Sequence, residues 1–146
     1  MAPRKLHFKI ILPDEVKVDE WVDMVIMRCP DGDLGIMAKH QDYLAVVDYG
    51  KVRIINNDKE RWIAVYGGLA LMVNNVLTIL SDEAQWPQEI DFASAQAERE
   101  LIQQRLLEES DDREIQNDQI LLRRALVQME VSNAAFSEVA VDEGLS

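Results

Sequence analysis

The sequence predicts a β domain of sandwich or barrel type followed by an antiparallel two-helix hairpin, and three observations carry that prediction. Apolar residues recur at every second position in the first half, as in Leu6, Phe8, Ile10 and Leu12 and again in Val22, Met24 and Ile26, which is the period of a half-buried strand. Turn residues cut that half into short runs, the mark of a many-stranded β fold. After Pro87 the composition changes to strong helix formers, with no Gly or Pro from Phe92 to Glu108.

Taken in order, the interruptions are Pro13-Asp14, Pro30-Asp31-Gly32-Asp33, Gly50, Asn56-Asn57-Asp58 and Asn74-Asn75. Asn tolerates the left-handed backbone of a tight hairpin, so Asn74-Asn75 is expected to join Leu69–Val73 to Val76–Leu80. Gly67-Gly68 lies between strands with no following helix and no Lys. It therefore reads as a bulge or a close backbone approach, not as a phosphate-cradling loop. Asp91 is placed to cap the first helix, with Ala93, Ala97 and Leu101 at fourfold spacing and Ile102 and Leu106 beside them. Ser110-Asp111-Asp112 breaks the pattern, and Asp111 with Glu114 three residues on has the reciprocal capping arrangement that starts a second helix. Its apolar stripe is expected to run Ile115, Leu122, Leu126, Met129, interrupted by Gln119. So weak a stripe implies a hairpin only marginally docked, able to move. From about Asn133 onward the chain is expected to be a flexible tail. The resulting division is 1–87 for the β domain, 88–132 for the hairpin and 133–146 for the tail.

Composition limits the function. A length of 146 residues suits one core with a small appendage, and 48% hydrophobic with 29% charged residues fits a folded globular protein. Fifteen Lys and Arg against 27 Asp and Glu give −12, which repels a phosphate backbone and argues against nucleic acid. Residues 1–86 hold 10 basic and 13 acidic side chains and residues 87–146 hold 5 and 14, so the acidity is concentrated in the helical half. The single cysteine, Cys29, cannot form an internal disulfide, and no export signal or bilayer-spanning stretch is visible, so a reducing, cytoplasmic setting is expected.

Chemistry-bearing residues are sparse. His7 and His40, the two histidines, have no second ligand at metal-binding spacing, so no metal site is expected. Asp31, Asp33 and Asp42 lack the long loop and closing Glu of a calcium site. Cys29 with His40 is the one nucleophile–base pair the sequence offers, against the plainer reading of Cys29 as a small buried hydrophobe. Arg123-Arg124, a paired positive charge in an acidic half, reads as a solvated helix face or as a contact for an acidic partner. Pattern alone thus describes a binding module with no visible active site.

Three stretches resemble a known family, the ε subunits of bacterial rotary ATP synthases, called δ in mitochondria. Gly32-Asp33-Leu34-Gly35-Ile36 followed by His40, Leu44, Gly50 and Arg53-Ile54 resembles the family's G-[ED]-L-G-I…H…L…G…R-I segment. Tyr66-Gly67-Gly68-Leu69 with Thr78-Ile79-Leu80-Ser81-Asp82 resembles its S-G-G-F…V-T-[VI]-L-A-D hairpin, and Glu89-Ile90-Asp91 resembles the start of its helical hairpin. The likeness covers roughly residues 5–132. It implies a sandwich of about ten strands and two C-terminal helices, a non-catalytic rotor subunit in the central stalk, and coupling of ion (hydrogen-ion) transport to ATP synthesis. The implied partners are the γ subunit, the c-subunit ring through Asp31, Gly32, Asp33, Leu34, Gly35 and His40, and, through the helices, the α/β catalytic head, where some members block ATP hydrolysis. The implied location is the cytoplasmic face of the cell membrane, held peripherally, and the isolated chain is expected to be a monomer.

The departures from the family pattern carry information. Met37-Ala38-Lys39-His40-Gln41-Asp42-Tyr43 lacks two prolines and a glycine of the family loop, which should loosen it. Some members hold ATP between the helices through I-D-x-x-R-A. Here Ile90, Asp91 and Ala95 are kept and Arg124 matches a further arginine, but Ser94, Asn117 and Gln128 stand at arginine positions and Gln85 replaces an acid. Lost charge-assisted bonds to a polyphosphate cost several kcal/mol, so ATP binding is expected to be weak or absent and no cofactor is expected. Residues 113–132 carry Arg113, Arg123 and Arg124 against Glu114, Asp118 and Glu130, so inhibition by the second helix would rest on apolar contacts of Leu121, Leu122, Leu126 and Val127. Two rival readings stay open at this point: a free-standing β-sandwich interaction module that self-associates through its helices, and a cysteine enzyme using Cys29 and His40.

Overall fold

The computed structural model describes residues 5–142, with side chains through 134, and divides them between two compact units, Met1–Gln85 and Trp86–Ser146. The first holds eight strands among the described residues: β1 (Leu6–Ile11), β2 (Val16–Val22), β3 (Met24–Cys29), β4 (Gly32–Met37), β5 (Tyr43–Asn56), β6 (Lys59–Val73), β7 (Val76–Leu80) and β8 (Ala84–Gln85). The count is eight where about ten were expected because β5 and β6, at 14 and 15 residues, each serve both layers.

Their hairpin explains how. Every pair from Tyr43↔Met72 to Asn56↔Lys59 keeps one register, with a gap where Asp48 would face Gly67. There the ribbon folds. Gly67 (φ +80°) and Gly68 (φ +142°) occupy backbone regions that L side chains rarely adopt. A Cβ on Gly68 would lie 2.1 Å from the Leu80 carbonyl oxygen. Ser81 Oγ donates to the Gly67 carbonyl at 2.6 Å and fixes the crossing. Gly67-Gly68 is thus the close approach that the sequence suggested. One continuous sheet runs in the order β2-β1-β7-β6-β5-β3-β4, with β8 paired to β6, and an ion pair between Glu20 on β2 and Arg61 on β6 ties strands distant in that order.

The turns follow from their residues. Asn57 and Asp58 (φ 53° and 64°) and Asn74 and Asn75 (φ 50° and 67°) form two-residue loops with both residues left-handed, the geometry that suits strand twist. Between the layers lie Leu6, Phe8, Ile10, Val25, Met27, Ile54, Ile63, Met72, Leu77 and Ile79, all fully buried. Side chains of this size each contribute about 1.5–3 kcal/mol on burial. One expected alternation changes parity. Val22 is buried, but Met24 and Ile26 are only half-buried while Val25 and Met27 point inward. The bend at Asp23 resets the pleat, and its carboxylate is held there by the Asn57 amide and by Lys5.

In the second unit a 3-10 turn (Pro87–Glu89) precedes α1 (Phe92–Glu108) and α2 (Asp112–Asp142). Asp91 caps α1 as expected, accepting from the Ser94 amide at 3.2 Å, and Asp111 accepts from the Arg113 amide at the start of α2. The seam differs from expectation. Ala93, Ala97 and Leu101 are exposed, and Ala95 and Ile102 are the buried residues of α1. On α2, Asp118 and Ala125 are buried, Leu122 and Met129 half-buried, and Leu126 is exposed. Alternating three- and four-residue steps keep a seam facing its partner, whereas a strict four-residue step drifts around the helix. The backbone of α2 continues through Asn133, where a tail was expected, to Asp142, because Asn133–Asp142 contains neither Gly nor Pro. The remainder of the expected tail, 143–146, lies outside the described residues.

Candidate docking surfaces

Strands β5, β6 and β7 are apolar on both faces. Their inward side chains Val47, Ala70, Met72, Leu77 and Ile79 fill the core, while Leu44, Val46, Leu69, Leu71, Val73 and Leu80 point outward and are 37–64% exposed. The register makes these six contiguous: Leu44 faces Leu71, Val46 faces Leu69, and Leu69 faces Leu80 on the next strand. Scattered exposed apolar residues are ordinary, but a joined patch across three strands marks an interface. Its rim is polar. His7 on β1 stacks on Trp21 of β2 (centroids 4.8 Å apart), and His7 Nε2 lies 2.5 Å from Asp19 Oδ1. That hydrogen bond holds the Asp19 carboxyl below its usual range.

Sequence reasoning singled out residues of this face only through the Leu44, Leu69 and Leu80 matches, yet a signal existed. Leu44–Val47, Leu69–Val73 and Leu77, Ile79 and Leu80 are near-continuous apolar runs, as strands buried on both faces show.

Of the segment that the resemblance assigns to the c-ring contact, Gly32-Asp33-Leu34-Gly35 lies in strand β4, at one end of the sheet order. The turn before it, Pro30-Asp31, joins the paired residues Cys29 and Gly32. The structure brings Asp31, Gly32, Asp33 and Leu34 together at one wall of a groove of about 350 Å³ whose other wall is Tyr43–Val46. His40 stands apart. It follows Met37, which pairs with Met24 at the far end of β4, about 17 Å along the strand at 3.3 Å per residue. It meets the groove only through Tyr43, whose ring it approaches edge-on at 6.2 Å, while its Nδ1 donates to the Gln41 carbonyl. Lys39 and Asp42 are tied to Asn75 and Asn74 of the β6–β7 turn, so side-chain bonds brace this stretch where the family has prolines.

The His40 imidazole is engaged by the Gln41 carbonyl and the Tyr43 ring rather than by Cys29, and a base must lie within hydrogen-bond distance of its nucleophile, so the structure does not assemble the pair. Burial, followed by the charges of Asp33, Asp31 and Asp48, pushes the Cys29 thiol up from its ordinary value. The thiolate fraction at neutral pH is correspondingly small. Alkylation by iodoacetamide at pH 7.5 is expected to run well below the rate of free cysteine and to accelerate only above the usual thiol range. A rate equal to that of free cysteine would reinstate the nucleophile.

In the helical unit, Arg105 Nη2 on α1 donates to Asp118 Oδ1 on α2 at 2.7 Å, with Asp118 almost fully buried. This pair fixes the register of the two helices. Asp91 lies fourteen residues before Arg105 and Arg124 six after Asp118, an offset of eight residues or about 12 Å along the axes. Ile90, Asp91 and Ala95 therefore cluster at the start of α1, Ala95 fully buried, while Arg124 sits away from them. Ser94, at the arginine position of the family motif, instead binds Asp91 through both its amide and its hydroxyl (2.9 Å), and these bonds hold the Asp91 carboxyl below its usual range. Gln85 Oε1 accepts from Tyr66 Oη at 2.6 Å. Of the residues expected to make inhibitory contacts, Leu121, Arg123 and Leu126 are exposed, Leu122 and Arg124 half-buried, and Val127 buried. The seam also contains Arg99, whose Nε is buried with no hydrogen-bond partner, a cost to docking of the helices. Among the described residues no helix is long and apolar enough to cross a membrane.

Comparison with known proteins places these surfaces in context. The family described as ATP synthase, Delta/Epsilon chain, beta-sandwich domain, matches residues 5–87. An ATP synthase epsilon chain of Caldicellulosiruptor bescii is 33% identical over 135 residues, 92% of this chain and 98% of the relative. That of Caldicellulosiruptor saccharolyticus is 32% identical over 122 residues, 84% and 89% of the two chains. Among solved structures, a chain of the Euglena gracilis mitochondrial ATP synthase (OSCP/F1/c-ring, rotational state 1) superposes with a TM-score of 0.79 at 21% identity, covering 93% of this chain and 84% of that one. A chain of the Tetrahymena thermophila mitochondrial ATP synthase central stalk and c-ring gives 0.51 at 15% identity, covering 61% and 72%. These last two likenesses concern the fold.

Proposed function

The chain belongs to the ATP synthase delta/epsilon family, and from that premise we propose that the apolar outer face of β5, β6 and β7 is the surface that holds it to the γ subunit of the central stalk. As a member of that family it is a non-catalytic rotor subunit of the F-type ATP synthase. The observation that carries the docking assignment is the row of six joined, exposed apolar side chains. A subunit that must turn as one body with γ needs a permanent, largely apolar contact. The neighbouring groove between Asp31–Leu34 and Tyr43–Val46 shares Leu44 and Val46 with that face. Its acidic, exposed wall suits the polar loops of the c ring, with the subunit peripheral on the cytoplasmic face of the cell membrane. Hydrogen exchange of the full chain with and without γ tests the reading. Protection is expected in 43–47, 69–73 and 76–80, and protection confined elsewhere overturns it.

For the helices we propose a regulatory role that does not depend on nucleotide. Support comes from the ionic, partly unsatisfied seam, which favours opening. A hairpin that trades Arg105–Asp118 for contacts elsewhere can switch between two states when a partner binds one of them better. Deleting residues 88–146 is expected to raise ATP hydrolysis by the assembled enzyme, and unchanged hydrolysis would end the proposal. Titration of the isolated protein with Mg-ATP is expected to give no binding heat at millimolar nucleotide, because Asp91 is engaged by Ser94 and Arg124 lies about 12 Å away along the helix axes. Micromolar binding would refute that expectation.

A further inference from the structure

At the fold of the sheet lies a second groove, of about 600 Å³, floored by Gly67 and Gly68 and walled by Tyr49, Tyr66, Leu69, Leu80 and the β1–β2 turn. Three observations indicate what it is shaped to take. Its volume falls in the range of specific binding pockets and its lining is mainly apolar and aromatic, with Tyr49 and Tyr66 packed edge to face at 6.0 Å. The glycine floor keeps it open: a Cβ on Gly67 would press on the Tyr49 ring at 3.2 Å and one on Gly68 would collide with backbone. Leu69 and Leu80 belong both to this groove and to the six-residue apolar face, so whatever covers the face reaches the groove without a break. At the rim stands Asp82, exposed, on a chain of net charge −12.

We propose that this groove is the anchor pocket of the docking surface, receiving a segment of the γ subunit that carries an aromatic or long aliphatic side chain beside a lysine or arginine. The inference rests on the assignment of the outer face to γ. The apolar side chain lies against the tyrosine pair and over the glycine floor, and the cation meets Asp82. Interfaces concentrate their affinity in such pockets, where a buried anchor is fully desolvated, and use rim charges to orient the partner.

The test is the affinity of the full-length protein for purified γ, measured for wild type, Tyr49→Ala, Asp82→Lys and Leu71→Asp, with folding checked by thermal melting. Asp82→Lys replaces an exposed charge and leaves the core untouched, so it remains informative if Tyr49→Ala is destabilised. The expected result is a loss of about tenfold for each groove variant, with a smaller salt dependence for Asp82→Lys. Wild-type affinity in both groove variants overturns the pocket, and if Leu71→Asp still weakens binding, the outer face stands without it. Wild-type affinity in all three variants overturns both readings.

Discussion

Replacing Gly68 by alanine is expected to cost roughly 2–6 kcal/mol, a large part of a stability that for most domains is only 5–15 kcal/mol. Two penalties add. The residue sits at φ +142°, where an L side chain is strained by about 1–3 kcal/mol. The new methyl would also lie 2.1 Å from the Leu80 oxygen and 3.2 Å from Ser81 Cα, all backbone, so nothing can swing aside as a flexible side chain could. Relief requires β6 and β7 to part at the point where the sheet folds. Gly32→Ala is the control. Gly32 has a similar φ of +125° but no atom within 4 Å of the place a methyl would occupy, so it should show the strain without the collision. Denaturant midpoints at unchanged slope give both numbers. If the two variants lose equal stability, the close approach of β6 to Leu80 is soft, and Gly68 is present for its conformation alone.

What was legible in the sequence divides along physical lines. Hairpins at Asn74-Asn75, the cap at Asp91 and the extent of α1 were readable because each is decided within four residues. The parallel pairing of β1 with β7, His7 to Ile11 against Val76 to Leu80, left no local trace, since it joins segments about seventy residues apart. Parity also failed locally: Asp23 resets the pleat between Val22 and Val25, and strict period-two counting across it puts Met24 and Ile26 on the wrong side. The helix seam was misassigned because small alanines fit either face. The seam also holds Arg105 paired with Asp118, two charged residues that hydropathy assigns to solvent. The family motif drew attention to Asp31–Gly35 and His40, but motif order along the chain does not report that β4 lies between Asp31 and His40. The outer face was hidden for a different reason. Alternation separates inside from outside only where one side is polar, and β5, β6 and β7 are apolar on both.

Leu71→Asp is expected to weaken γ binding at least a hundredfold while leaving the free protein folded. Leu71 lies at the middle of the face, opposite Leu44 on one neighbour strand and Thr78 on the other, with Leu69 and Val73 two positions away on its own strand. Free in solution the side chain is 44% exposed, so a carboxylate there stays hydrated, and the cost to the strand is about 1 kcal/mol or less. Docking changes the balance, because the charge must then lose its water against an apolar partner surface, at several kcal/mol. A factor of one hundred corresponds to about 2.7 kcal/mol, within that penalty. Leu71→Ala removes contact without adding charge and should lose about tenfold, so the two substitutions together separate lost packing from imposed desolvation. Equal affinity of Leu71→Asp and wild type for γ would mean that another surface covers these strands. The remaining candidate is then a second copy of the chain. Sedimentation would identify it, since a self-associating face predicts a wild-type dimer that the same aspartate dissociates, whereas a rotor subunit present for γ predicts a monomer in both.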